Sequence, residues 1–349
     1  MRCFRLFHGR WTSSRVLSVA AGALATVASM AAPSCAAVVS FGTGSNQFNM
    51  EFVTIGNPGN AADTTGAPKP AGAVGYEYGI GKFEVSEDMI TKYNANFGTA
   101  NNLVITQDNR GSAKPATSVS WNEAARFVNW LNTSTGNQAA YKFTSDGVND
   151  DIALWVSGDA GYDALNPYRN SLAKYFLPSY NEWYKAAYYN PDNSTYYNFP
   201  NGSDTMPVSV ESGTDNNTAV YTVFDDFYNP VPGSPNGPAD VDKAGGLSPF
   251  GVMGLGGNVS ELEESPRFLG SFSGSSFRGV RGGTWKGFGS SMSVSSRNSL
   301  FSVSESVETG FRVATLSSSP PPAVPEPSMM VIGTLFGIGG LMAKRRTKK

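Results

Sequence analysis

Two windows of the chain place apolar residues at helical spacing directly behind a capping pair. Ser120 precedes Glu123 by three positions, and Ala124, Phe127, Val128 and Leu131 follow at i, i+3, i+4 and i+7. Ser179 precedes Glu182 in the same way, followed by Trp183, Ala186 and Ala187. A capping residue contributes about 1 kcal/mol, so these pairs mark where two helices begin, and their role is read as architectural. A third, shorter helix is expected after Ser86, with Glu87 and Asp88 in its first turn where the helix dipole favours acids. Strand patterns cover 38–41, 51–55 and 76–85, the last with a shift in phase at Gly81. From Tyr189 to about Leu247 turn residues dominate and loops are expected. The pattern is that of many loops, short strands and few helices, without a repeat at solenoid spacing.

The two ends follow other rules. Residues 1–37 have a basic start (Arg2, Arg5, Arg10, Arg15), a small apolar run over 16–32 and small residues at Cys35-Ala36-Ala37, the pattern of a cleaved signal peptide cut after Ala37. At the other end, Ser317-Ser318-Ser319-Pro320-Pro321-Pro322 opens an extended linker over 317–324. Val324-Pro325-Glu326-Pro327 then precedes an apolar run over 328–343 and the basic cluster Lys344, Arg345, Arg346, Lys348 and Lys349. Sixteen helical residues span about 24 Å, short of a ~30 Å hydrocarbon core. A short anchor of this kind stops in the inner membrane with its basic end in the cytoplasm.

Charge and sulfur content narrow the function. Of 26 Lys and Arg, nine lie in these two ends; of 28 Asp and Glu, only Glu326 does. Residues 38–324 therefore carry a net charge near −10. An acidic core without basic clusters argues against nucleic acid and anionic lipid as partners. The two cysteines, Cys3 and Cys35, and the one histidine, His8, all lie in the leader. The processed chain then has no disulfide framework, no thiol nucleophile and no imidazole for metal or general-base work.

Five segments in order resemble one family: 80–86 (Ile-Gly-Lys-Phe-Glu-Val-Ser), 119–131 around Trp121 and Trp130, 177–187 around Glu182 and Trp183, 257–261 (Gly-Asn-Val-Ser-Glu), and 281–285 (Arg-Gly-Gly-Thr-Trp) with Arg297 and 310–313 (Gly-Phe-Arg-Val). They look like the formylglycine-generating enzyme, or sulfatase-modifying factor, family. The resemblance spans about 51–314 and implies an α+β domain of the C-type-lectin-like superfold, loop-rich with little regular secondary structure, over 38–316. Separately, 325–349 looks like a PEP-CTERM sorting signal with the motif Pro325-Glu326-Pro327. That likeness implies an exosortase-type sorting protease as partner, transient anchoring in the inner membrane, and delivery to the envelope or extracellular matrix of a Gram-negative bacterium.

The family's oxidases use a cysteine pair after the Arg-Gly-Gly motif to bind copper. Gly287 and Met292 fall at those positions here, and neither offers a thiolate. Catalytic residues of the family type are therefore not assigned. The resemblance also implies a calcium site from the carbonyls of Gly257 and Val259 and the carboxylate of Glu261. Gly254 stands where a further side-chain ligand belongs, which depletes a site that wants six to eight oxygens. A second family calcium site would start near Val220, with Asp240 and Asp242 downstream. Arg281, Arg297 and Arg312 are expected to tie loops together through carboxylates or carbonyls. Glu261, Glu263 and Glu264, and Asp225 and Asp226, are candidate carboxylate pairs for sugar hydrolysis, though acids on loops are more often solvated. Tyr184, Tyr188, Tyr189, Tyr196 and Tyr197 are candidates for a sugar- or peptide-binding surface, with several expected in the core. The glycines of 251–257 match no phosphate-loop pattern. The expectation is a non-catalytic, surface-directed binding or structural protein that takes a glycan or protein ligand. The alternatives are a carboxylate-based enzyme and an oxidase completed by a partner.

Overall fold

Ser120 and Ser179 each accept a hydrogen bond from the backbone N–H three residues on, and the Glu123 and Glu182 carboxylates each accept one from the cap's own N–H, so both capping boxes close. The structure is a computed structural model that describes residues 37–316 apart from Ser271. The leader, the 317–324 linker and the sorting motif lie outside the described residues. Three α-helices stand out: α1 (Glu87–Tyr93), α2 (Trp121–Ser134) and α3 (Tyr180–Tyr188). Helix α2 ends where Gly136 adopts φ +76°, with Gly136 N donating to Thr133 O and Asn137 N to Asn132 O. This is the Schellman arrangement that terminates helices at a left-handed glycine.

A five-stranded antiparallel sheet uses β1 (Ala37–Phe41), β2 (Phe48–Ile55), β3 (Tyr78–Gly81), β4 (Tyr175–Phe176) and, from the far end of the domain, Ala314–Leu316. A second sheet uses β5 (Ser260–Pro266), β6 (Phe277–Arg281), β7 (Asn298–Phe301) and β8 (Thr309–Gly310) in the order β7-β6-β5-β8. The strand Ala314–Leu316, β9, pairs with β3 on one side and β4 on the other. The chain therefore closes its first sheet with its last described strand. The expected 76–85 strand is shorter than its pattern, ending at Gly81, where Lys82 N turns to donate to Glu51 O.

One core fills the space under α2 and α3. Tyr93, Phe127 and Trp130 pack in edge and tilted geometries at 5.5–6.0 Å, with Phe311 at 5.8 Å from Phe127. Trp121 and Trp183 are fully buried, as the apolar stripes of their helices require. Between these elements the chain is loops and short two-residue ladders. The result is the few helices, curled sheets and long connections of the C-type-lectin-like α+β fold.

Candidate functional site

Strand β5 carries three acids, and all of them point inward. Glu261, Glu263 and Glu264 are at most 1% exposed. The expectation that these acids are solvated is wrong: the strand is buried on both faces, and each carboxylate meets arginine. Glu261 accepts both prongs of Arg312, with Arg312 Nε 2.6 Å from Oε2, and a third bond from Trp183 Nε1 at 2.7 Å. Glu263 is shared by Arg281 Nε at 2.8 Å and Arg297 Nη2 at 2.7 Å. Glu264 accepts from Tyr141 and Asn166, with Arg169 at 3.8 Å.

The arginines then spend their remaining donors on loop carbonyls. Arg312 reaches Gly81 O at 2.8 Å and Met253 O at 2.9 Å. Arg281 reaches Ser296 O and Ala67 O, and Arg297 reaches Arg267 O and Pro266 O. Guanidinium forks bind several acceptors in one plane, and here they replace ladder bonds that a loop-rich fold lacks. Arg278 is also fully buried, stacked between Trp121 and Tyr168 with centroids at 4.0 and 4.2 Å.

Glu84 completes this interior and was not singled out from sequence. It follows β3, is 1% exposed, and accepts with both carboxylate oxygens from the one Asn258 amide nitrogen, each 3.0 Å from Nδ2. Burial first, then the nearby Glu261 charge, pushes its carboxyl up to about 8, against the pull of Arg312. Asn258 in turn accepts from Ala239 N at 2.8 Å. Its φ of +57° is a left-handed conformation that Asn tolerates better than most residues.

The residues expected to hold calcium lie together at this point. Gly257, with φ +77°, donates to Gly282 O at 2.8 Å, and an added Cβ would meet Val220 O at 2.3 Å. Val259 is fully buried. Glu261, however, already has both oxygens engaged by a guanidinium, and Glu84 fills the space beside Gly254. This donor set does not fit a divalent cation, because calcium at Glu261 would have to displace Arg312 from a site closed to water. Near the other expected calcium position, Asp240 is bound by Lys114 and Lys243. Among the described residues no group of three or more His, Cys, Asp or Glu is placed to hold a metal ion.

Met292 and Gly287, the positions that the resemblance matches to the family's cysteines, differ in burial. Met292 is fully buried beside Ala219 and Tyr221, and its carbonyl accepts from Tyr188 Oη at 2.9 Å. Gly287 lies on the surface loop, where its carbonyl accepts from Thr222 N at 3.2 Å. Thr222 Oγ1 also donates to Trp285 O at 2.8 Å. These two bonds pin the 222–236 loop onto the 284–289 loop.

What the pinned loops present to solvent is aromatic. Phe227 and Tyr228 are 84% and 75% exposed, and Phe288 is 47% exposed. Phe224 lies 4.5 Å from Phe288, and Tyr228 meets the same ring edge-on at 6.2 Å. Met206 rests against Gly289 beside them. Of the five tyrosines considered for a binding face, Tyr184, Tyr188 and Tyr189 are core, and Tyr196 and Tyr197 are half-buried. The Asp225–Tyr228 turn was the exposed feature that sequence offered only as a pair of acids.

A family model described as the sulfatase-modifying factor enzyme 1-like domain matches residues 26–316. The chain belongs to this family. No curated protein sequence matches it. Among solved structures, the sulfatase-modifying factor domain is similar to Treponema denticola variable protein 1, with 20% identity, a TM-score of 0.51, and coverage of 80% of this chain and 99% of that one. It is similar to a protein titled CarF, with 20% identity, a TM-score of 0.52, and coverage of 77% and 98%. PvdO from Pseudomonas aeruginosa aligns at 15% identity and a TM-score of 0.46 over 80% of this chain and 98% of that one. The first two likenesses support the fold of this sulfatase-modifying factor domain.

Proposed function

We propose that this sulfatase-modifying factor domain is a non-catalytic binding module, exported and directed to the cell envelope or exopolysaccharide matrix. The observation that carries the reading is the 284–292 segment, which the resemblance matches to the family's cysteine positions. It holds a glycine and a buried methionine, and together with the 222–236 loop pinned to it exposes an aromatic face. No cysteine follows Cys35 and no histidine follows His8. A fold with long loops on a fixed core changes what it binds without refolding. The carboxylate-based alternative loses its strongest group of acids, since Glu261, Glu263 and Glu264 are inside the protein and each meets an arginine.

Delivery rests on the two ends. Leader removal after Ala37 and exosortase-type processing at Pro325-Glu326-Pro327 would leave a chain free of its membrane segment. No helix among the described residues is long and apolar enough to cross a membrane. Two measurements test the reading. Mass spectrometry of the protein from its host should find both ends trimmed. The purified protein, given a cysteine-containing peptide and copper, should form no formylglycine; product formation above the no-protein control overturns the non-catalytic assignment.

A further inference from the structure

The loop face has a chemistry that selects its occupant. Phe224, Phe288 and Tyr228 form a ring cluster on two loops held together by Thr222, and the exposed Phe227 adjoins Tyr228 in the same turn. The turn that projects it is built for the purpose: Asp225 Oδ1 accepts from Phe227 N and Asn229 N, each at 2.9 Å. Tyr228 sits at φ +62°, a left-handed conformation unfavourable for a bulky residue. The backbone thus bears strain while its two largest rings bury almost nothing, so folding alone does not account for them.

Three of the four rings are phenylalanine, which has no polar atom. A sugar would need converging hydrogen-bonding side chains beside its stacking ring, and those nearby are engaged. Lys286 pairs with Glu308 at 3.6 Å, and Asn229 turns back onto Asp225. The Asp226 carboxylate and the Tyr228 hydroxyl are the exceptions: both residues are exposed, and neither group has a hydrogen bond or ion pair among the described residues. Phe224 and Phe288 pack on each other, but the largely exposed rings of Phe227 and Tyr228 are open to a cation. Elsewhere the fold places Lys or Arg over aromatic rings repeatedly, whereas among the described residues none stands over these four. Apolar surface, open ring faces and an uncompensated carboxylate are complementary to a partner that is apolar and positively charged.

Resting on the binding-module reading, we propose that this face docks a basic, apolar protein segment, with Arg or Lys over the rings and beside Asp226 and aliphatic side chains against Phe288 and Met206. The probe is a decapeptide of alternating arginine and leucine, titrated calorimetrically into the intact protein, with a glutamate–leucine decapeptide and a chito-oligosaccharide as counterparts. Only the arginine peptide should saturate, and it should weaken several-fold in about 0.5 M salt. The double variant Phe227→Ser, Tyr228→Asn removes exposed rings and relieves the strained turn, so it folds; it should bind roughly tenfold more weakly. Asp226→Asn should weaken binding less and reduce its salt dependence.

Absence of saturable binding, binding unchanged in the ring variant, or preferential binding of either counterpart overturns the proposal. Failure here in a protein that also makes no formylglycine leaves the module reading standing and removes only the ligand class.

Discussion

The carboxylate of Glu84 lies against Gly254, so close that a Cβ on Gly254 would stand 2.9 Å from Glu84 Cδ. Gly254 also adopts φ +76°. Gly254→Ala therefore combines backbone strain with a clash against a buried, hydrogen-bonded group. It should cost about 2–4 kcal/mol in denaturant unfolding. The clash component should shrink in the Glu84→Ala background, giving a less-than-additive double-mutant cycle.

Glu84 also sets a pH dependence. Its folded carboxyl is raised to about 8 from an ordinary value of 4.5. Between those values the native state binds more protons than the unfolded chain, so its contribution is fully present below about 4.5 and is lost as pH rises through about 8. Glu123 acts in the same direction, raised to about 7 chiefly by burial. The melting temperature of Glu84→Gln should fall less between pH 5 and 8.5 than that of the wild type. Parallel curves for the two proteins would refute the assignment.

Arg312 joins Glu261 to Gly81 and Met253, and all of its contacts are buried. Arg312→Met strands a charged carboxylate with only Trp183 as donor, and a loss of about 3–5 kcal/mol is expected. Arg312→Lys should recover little, because one ammonium cannot match a planar fork reaching three acceptors. Thermal melts of the two variants provide the comparison.

Met292 is a packing residue. Met292→Ala should open a cavity among Ala219, Tyr221 and Phe199 and cost about 2–5 kcal/mol. A stability change below about 1 kcal/mol would show that the side chain is not held in the core.

Calcium should not stabilise this chain through Glu261. Differential scanning with and without a chelator should give the same melting temperature. A chelator-dependent fall abolished by Glu261→Gln would restore the cation to this strand.

Helix starts were legible in the chain because Ser120, Glu123, Ser179 and Glu182 encode them locally. The strand pattern of 51–55 was legible for the same reason, and 76–85 was overextended because Gly81 closes the strand through a tertiary bond from Lys82. The buried acids of β5 were illegible, since Ser-Glu-Leu-Glu-Glu reads as a solvated surface loop unless its arginine partners are known. Those partners stand 18 to 95 residues away along the chain. Glu84 was missed for a related reason: a single acid between Phe83 and Val85 gives no sign that Asn258, far along the sequence, will hold it. The exposed rings of 224–228 were hidden by the usual rule that aromatics go inside, and only the pinned, solvent-facing turn reveals them.

Strand β9 enters the middle of a sheet whose other members are made much earlier during translation. Until residue 316 has been synthesised, β3 and β4 lack the neighbour that joins them, and Arg312 is missing from its place beneath Gly81. A ribosome-bound chain is thereby denied its finished structure until the domain is complete. Such a delay leaves the polypeptide without its joined sheet through most of its synthesis.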